Sequence, residues 1–465
     1  MTLLILGAEA AALLLVLSVV VAVFYRYESF ALFAVLGVFF ADAVFIGIPP
    51  VEIGSFNVYP QDLISVVLLG TSLLRLAFRR PSALHVVWGI FALTELVSFY
   101  AGYQVYGAKA SANEFRQSLF LIATTLYFSS IDFSAASVLR LKRAWYITTG
   151  ALIALALYRW TAEWFSLPTM EAWEVLRTTS PGRITRTLMA SQTLFLFQAW
   201  LLTGPSLFRN RKRIQQVLAM ICLALVFALQ HRTVWVAALV SAIYLFGRVR
   251  MLLHRPLWLA ASATAAAVII LFFALADSSN GLAASLRYSL QEPITDRSTL
   301  EWRVTSWQQL LGDDNSPITA RNTFLGYLPY GAGLRRRVDG FVVNVSAHNF
   351  YVDTLMRTGA IGLTALLLGY SLILFRVRRV RPQDSVEARN WRTIVVSLLI
   401  SQFAYYFGYS AGYEQGILIG TALSFAVARP AGLARAQARN CFRAIEYRRR
   451  SLPLRTQNPL PERGL

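Results

Sequence analysis

The chain has 465 residues, 56% of them apolar, with a mean hydropathy of +0.51 and a formal charge of +20. Apolar runs recur along most of its length, each near the ~20 residues a helix needs to cross ~30 Å of hydrocarbon, which excludes a soluble globular domain. Basic residues that fix membrane topology account for the charge without nucleic acid, and two cysteines, Cys222 and Cys441, imply no disulfide framework.

In chain order, thirteen spans are predicted: 2–24, 29–48, 61–78, 83–101, 115–131, 144–160, 187–208, 214–230, 233–247, 256–276, 357–375, 393–409 and 413–428. The first run lacks a basic leader and a cleavage site, so it reads as a retained span. The fold class expected is an all-α polytopic membrane protein of about 12–13 transmembrane helices. Ten spans fill 1–276, a large loop covers 277–347, three spans fill 348–428, and a basic tail ends the chain from 429 to 465. Alternate connections and the tail hold 29 of the 44 Lys and Arg residues. The positive-inside rule therefore puts the tail in the cytoplasm and the large loop outside. The tail, with nine arginines and four prolines, reads as disordered or lying on anionic lipid.

Two outward segments are long enough for structure, 161–186 and 277–347. The second balances seven arginines against seven acids, so its arginines are not a diffuse basic coat. Ser298-Thr299-Leu300-Glu301 has capping-box spacing, and Leu300, Val304, Trp307 and Leu311 recur at one-turn intervals before Gly312. A short amphipathic helix over 299–311 is expected, lying on the membrane surface or a neighbouring helix. Gly326, Gly331 and Gly333 mark turns, and Arg335-Arg336-Arg337 reads as a solvated charge run. Ser346 can cap a further helix on which His348, Val352 and Leu355 share a face.

His348 stands where this loop meets an apolar helix, and the chain has only four histidines. It is either a general base or a histidine that merely caps its helix. Arg232, in the tight turn Gln230-His231-Arg232-Thr233, is either a bidentate phosphate ligand or an arginine reaching for lipid headgroups. Arg303 is a candidate phosphate ligand or a partner for Glu301, Trp302 or Trp307. Arg116, at the outer end of the fifth span, is a phosphate contact or an interface anchor; Arg183 and Arg186 invite the same two readings. Glu9, Asp42 and Glu95 lie within spans, far apart, and read as packing polarity. No two histidines have metal-ligand spacing, so no metal or cofactor site is expected. No glycine loop of the nucleotide-binding type occurs either, which disfavours a cytosolic nucleotide-sugar donor.

Three features together resemble the O-antigen ligase and O-antigen polymerase (Wzy/WaaL-like) family. They are His348-Asn349 followed by Gly359 and Gly362, Arg303 and Trp307 ahead of a glycine-rich segment, and Arg232-Thr233 at the end of a late hairpin. The resemblance is best over about 214–376, and His231 replaces a serine common in the family. It implies a GT-C-type architecture and a metal-independent membrane glycosyltransferase of the bacterial inner membrane. The donor would be undecaprenyl-diphosphate-linked glycan and the acceptor a second glycan or a lipid, with other polysaccharide-assembly proteins as partners. His348 would serve the acceptor hydroxyl; Arg232, Arg303 and Arg116 would bind diphosphate; Asn349 and Trp307 would support them. A transporter or flippase of lipid-linked oligosaccharide is the alternative, though no internal repeat points to it. A non-catalytic assembly scaffold is a third possibility.

Overall fold

The computed structural model describes residues 15–45, 48–53, 56–78, 81–132, 134–165, 167–168, 186–209, 213–249, 298–311, 324–333, 335–338, 341–344, 347–379, 386–412 and 414–427. The predicted span 256–276, most of the 161–186 segment, Glu9, Arg183, Ser346 and the tail lie outside these residues. The helices are α1 (Leu15–Arg26), α2 (Glu28–Phe45), α3 (Pro60–Ala77), α4 (Ala83–Ser129), α5 (Ala135–Phe165), α6 (Ala190–Arg209), α7 (Arg213–Ala228), α8 (Arg232–Val249), α9 (Ser298–Leu311), α10 (Phe350–Arg378), α11 (Val386–Tyr405) and α12 (Gln415–Val427). Among the described residues, four helices are long and apolar enough to cross a membrane: α2, α3, α4 and α10.

The described residues are overwhelmingly helical, as expected of an all-α membrane protein, and two short antiparallel hairpins are added to the helices. β1 (Val51–Ile53) pairs with β2 (Phe56–Val58), and β3 (Arg335–Val338) pairs with β4 (Phe341–Asn344). The arginine run thus forms the backbone of a strand, paired in register with Phe341–Asn344, a segment of matching length that carries the β-branched Val342 and Val343. A departure is α5, which begins at Ala135, nine residues before the predicted span; Arg140 on its first turns pairs with Glu28 of α2.

Two glycines fold long helices back on themselves. Gly107 in α4 has φ 82° and Gly359 in α10 has φ 67°, left-handed conformations that cost glycine least. Phe99 and Phe115 of α4 stack with centroids 4.7 Å apart. A straight helix would hold them about 24 Å apart, so the arms before and after Gly107 lie side by side. They are the two predicted spans 83–101 and 115–131. In α10, Tyr351 and Tyr370 both place their rings 6.1 Å from that of Tyr406, so the arm 350–358 likewise runs back along the longer arm.

The core is sealed by aromatics and by close helix approach. Trp145 of α5 stacks on Phe195 of α6 at 4.2 Å, and both are fully buried. α12 packs along α4 through glycines four residues apart. Gly416 lies against Thr124, and a Cβ at Gly420 would stand 2.7 Å from that of Phe128. In lipid the hydrophobic drive between helices is weak, so such close backbone contact is what joins them.

Candidate active site

The fold-back at Gly359 decides where His348 sits. Tyr370 lies eleven residues beyond Gly359, about 16 Å along the helix. Phe350 donates its N–H to the Tyr406 carbonyl at 2.9 Å, and Tyr406 in turn bonds Tyr370. His348 therefore stands recessed below the Gly359 turn instead of at the mouth of a span. It is not on the helix, which corrects the expected face with Val352 and Leu355. Its backbone has φ 46°, and Asn349 is the N-cap, accepting from the N–H groups of Tyr351 at 3.0 Å and Val352 at 3.1 Å. Asn349, chosen as a support, thus acts as a cap, and the capping role expected of Ser346 falls to it.

Only one other non-glycine residue described has positive φ. It is Gln230, at 57°, in the turn that carries Arg232. A side chain in this conformation is strained, and strain of this kind gathers at working sites. Both strained turns border one segment, the α11–α12 connection 406–414. Phe350 bonds Tyr406, and Thr233, next to Arg232, packs against Gly408, where a Cβ would meet Thr233 Oγ1 at 2.5 Å.

Arg303 reaches the same segment from α9, with its guanidinium 5.8 Å from the ring centroid of Tyr409. It also acts on His348: burial first, then the Arg303 charge, lowers the His348 pKa below its ordinary 6.5. The imidazole is consequently neutral at pH 7 and able to accept a proton. Trp307, one turn further along α9, donates its indole N–H to the Ala347 carbonyl at 2.7 Å, directly beside His348. The amphipathic helix predicted for 299–311 thus rests on protein.

The departure at His231 has a structural explanation. Its Nε2 bonds the Leu188 carbonyl at 2.8 Å, tying the Arg232 turn to the start of α6. Burial, with a smaller push from Arg186, holds its pKa down at about 4. Arg186 itself donates to the Gln230 carbonyl at 3.4 Å. Arg116 is engaged elsewhere. Its Nε donates to Asp62 at 2.7 Å, and its guanidinium lies 3.8 Å from the Tyr59 ring centroid. Asp62 also accepts from the Tyr59 N–H, so Arg116 braces the start of α3. Its neighbour Gln117 is the one that reaches the site segment, donating its side-chain amide to the Ala411 carbonyl.

The structure therefore gathers His348, Arg303, Trp307 and the Arg232 turn around 406–414, and gives Arg116 a bracing role. Sequence reasoning missed that segment. Tyr406, Tyr409 and the fully buried Glu414 all belong to it, and the fully buried Gln415 follows it at the start of α12. The signal was present as a dense aromatic, glycine and carboxamide run between two predicted spans.

The chain matches no protein-family model, and no curated protein matches it.

Proposed function

We propose that the chain is a membrane glycosyltransferase that transfers or polymerises undecaprenyl-diphosphate-linked glycan at the periplasmic face, in cell-surface polysaccharide synthesis. Polymerisation is favoured over ligation. The observation that carries this reading is geometric: the His348 turn, the Arg303 guanidinium and the Arg232 turn all border the one segment 406–414. In the proposed reaction the acceptor hydroxyl gives its proton to His348 and its oxygen attacks the anomeric carbon of the donor. The bond from that carbon to the diphosphate oxygen breaks, and the diphosphate leaves with the electron pair. Arg303 and Arg232 stabilise the charge that develops on it, as preorganised guanidinium groups can. Trp307 and Asn349 hold the histidine from either side through Ala347 and the α10 cap. Arg303 favours the neutral imidazole, which suits a base that must be unprotonated when the acceptor arrives.

The test is glycan profiling of a deletion strain complemented with wild type, His348→Ala or Arg232→Ala, with membrane levels of each protein matched. Both variants are expected to leave undecaprenyl-linked glycan unprocessed. Accumulated single repeats identify a polymerase and accumulated long chains a ligase. Normal polymer from both variants would sink the transferase reading.

A further inference from the structure

The chain of contacts that leads to Arg303 begins far from it. Arg357, buried in the short arm of α10, pairs with Glu114 of α4 at 2.7 Å. It also donates to the carbonyls of Leu328 at 3.2 Å and Pro329 at 2.8 Å. Glu114 accepts from the N–H groups of Gly331 at 2.9 Å and Gly333 at 2.8 Å. Tyr330, just before Gly331, donates its hydroxyl to Glu95, and its carbonyl accepts from Ser111 at 3.0 Å. Segment 326–333 is therefore fastened to both arms of α4 and to α10.

The same segment carries α9. Tyr327 donates its hydroxyl to the Leu310 carbonyl at 3.3 Å, and Leu310, Leu328, Ala332, Ala347 and Met356 form one apolar cluster. Trp307 closes the circuit at Ala347, and Arg303 lies one turn before it.

We infer that Glu114 and Arg357 are positioning residues: by docking segment 326–333 they set the place of Arg303 at the site without touching it. This rests on the transferase reading given above. The polarity of the contacts matters as much as the charge. A carboxylate only accepts and meets N–H groups; a guanidinium only donates and meets carbonyls. Exchanging the two residues keeps an ion pair but sets donors against donors and acceptors against acceptors, and it also sets a carboxylate at position 357 against Asp353, which stands 3.6 Å from Arg357.

The experiment uses the full chain in lipid nanodiscs, with Cys222 and Cys441 replaced by serine and spin labels at the exposed positions Val304 and Tyr103. The wild-type background should give one narrow distance between α9 and α4. Glu114→Ala, and the milder Glu114→Gln, should broaden it while the protein stays monodisperse. With undecaprenyl-diphosphate-linked glycan as donor, Glu114→Ala should lower kcat/KM by about 10²-fold, the scale of an ångström-sized misplacement. Adding Arg303→Ala to it should cost little more, because coupled residues are not additive. The double exchange Glu114→Arg with Arg357→Glu should not restore activity. An unchanged distance distribution in both Glu114 variants, full additivity with Arg303→Ala, or rescue by the exchange would each overturn the inference. A wild type without transferase activity would instead remove the proposed function, and the distance arm alone would then decide whether Glu114 docks the segment.

Discussion

At the scale of single residues, the site turns on how two histidines are kept neutral by different means. His348 is half-buried and faces the charge of Arg303, so its pKa falls below 6.5. On the proposed transferase reading, the rate should therefore be flat through neutral pH and fall only at acid pH, with a half-point below that ordinary value. Arg303→Ala removes the repulsion, so the half-point should move up while kcat/KM drops by roughly 10²–10³-fold, the cost of losing one donor to a developing anion. A pH–rate profile of both proteins checks this. His231 is neutral for structural reasons. Its folded value of about 4 lies below its ordinary 6.5, so the unfolded chain takes up the proton first. The stability it gives is complete above pH 6.5 and is lost as pH falls towards 4. Thermal unfolding of wild type and His231→Ala should thus differ at pH 7, by about 1–3 kcal/mol for an orphaned carbonyl and lost bond, and converge as pH approaches 4. The sequence showed both histidines, but not that one is a strut: the Leu188 carbonyl it bonds lies 43 positions away.

At the scale of elements, caps and glycines place the chemistry. Asn349 holds the first turn of α10, and Asn349→Ala should cost ~1 kcal/mol, with Asn349→Asp restoring most of it. Chemical unfolding of the three proteins measures that. Because the cap fixes the residue after His348, Asn349→Ala should also depress transfer. In α12, Gly420→Val sets a branched side chain against Phe128 and the Thr125 carbonyl of α4. Overpacking of this kind destabilises by about 1–3 kcal/mol, and the thermal midpoint in nanodiscs should fall accordingly. Helix existence was legible for the predicted spans that the described residues cover, since apolar runs of span length leave few options. Direction was not legible. Nothing in the run from Phe350 to Arg378 says that it folds back at Gly359, because a left-handed glycine inside an apolar stretch looks like any other small residue of a membrane helix.

At the scale of the whole molecule, one group of basic residues lies on helix ends remote in sequence from the Gly107 and Gly359 turns. Arg75 bonds the Phe24 and Tyr25 carbonyls, Arg140 pairs with Glu28, Lys142 lies over Trp391, and Arg392 bonds the Val377 carbonyl. By the positive-inside rule those ends should be cytoplasmic. In a cysteine-free background, a membrane-impermeant maleimide applied from the periplasm should label a cysteine at the exposed Tyr103 and spare one at the exposed Leu139. The reverse pattern would invert the orientation. What the sequence by itself determined was the class of molecule and the residues worth watching. Hydropathy and charge asymmetry act locally along the chain, and a lone histidine or a turn arginine is visible wherever it stands. Only the tertiary structure decided which of them meet. Arg303 and His348 are 45 positions apart, and Arg232 a further 71 before Arg303, so their convergence depends on how the arms of α10 fold and on where segment 326–333 docks. Arg116 satisfied the same local criteria as Arg232, and a carboxylate at Asp62, 54 positions away, claimed it. Which partner wins is a contest between distant groups in space, and a linear pattern carries no record of that contest.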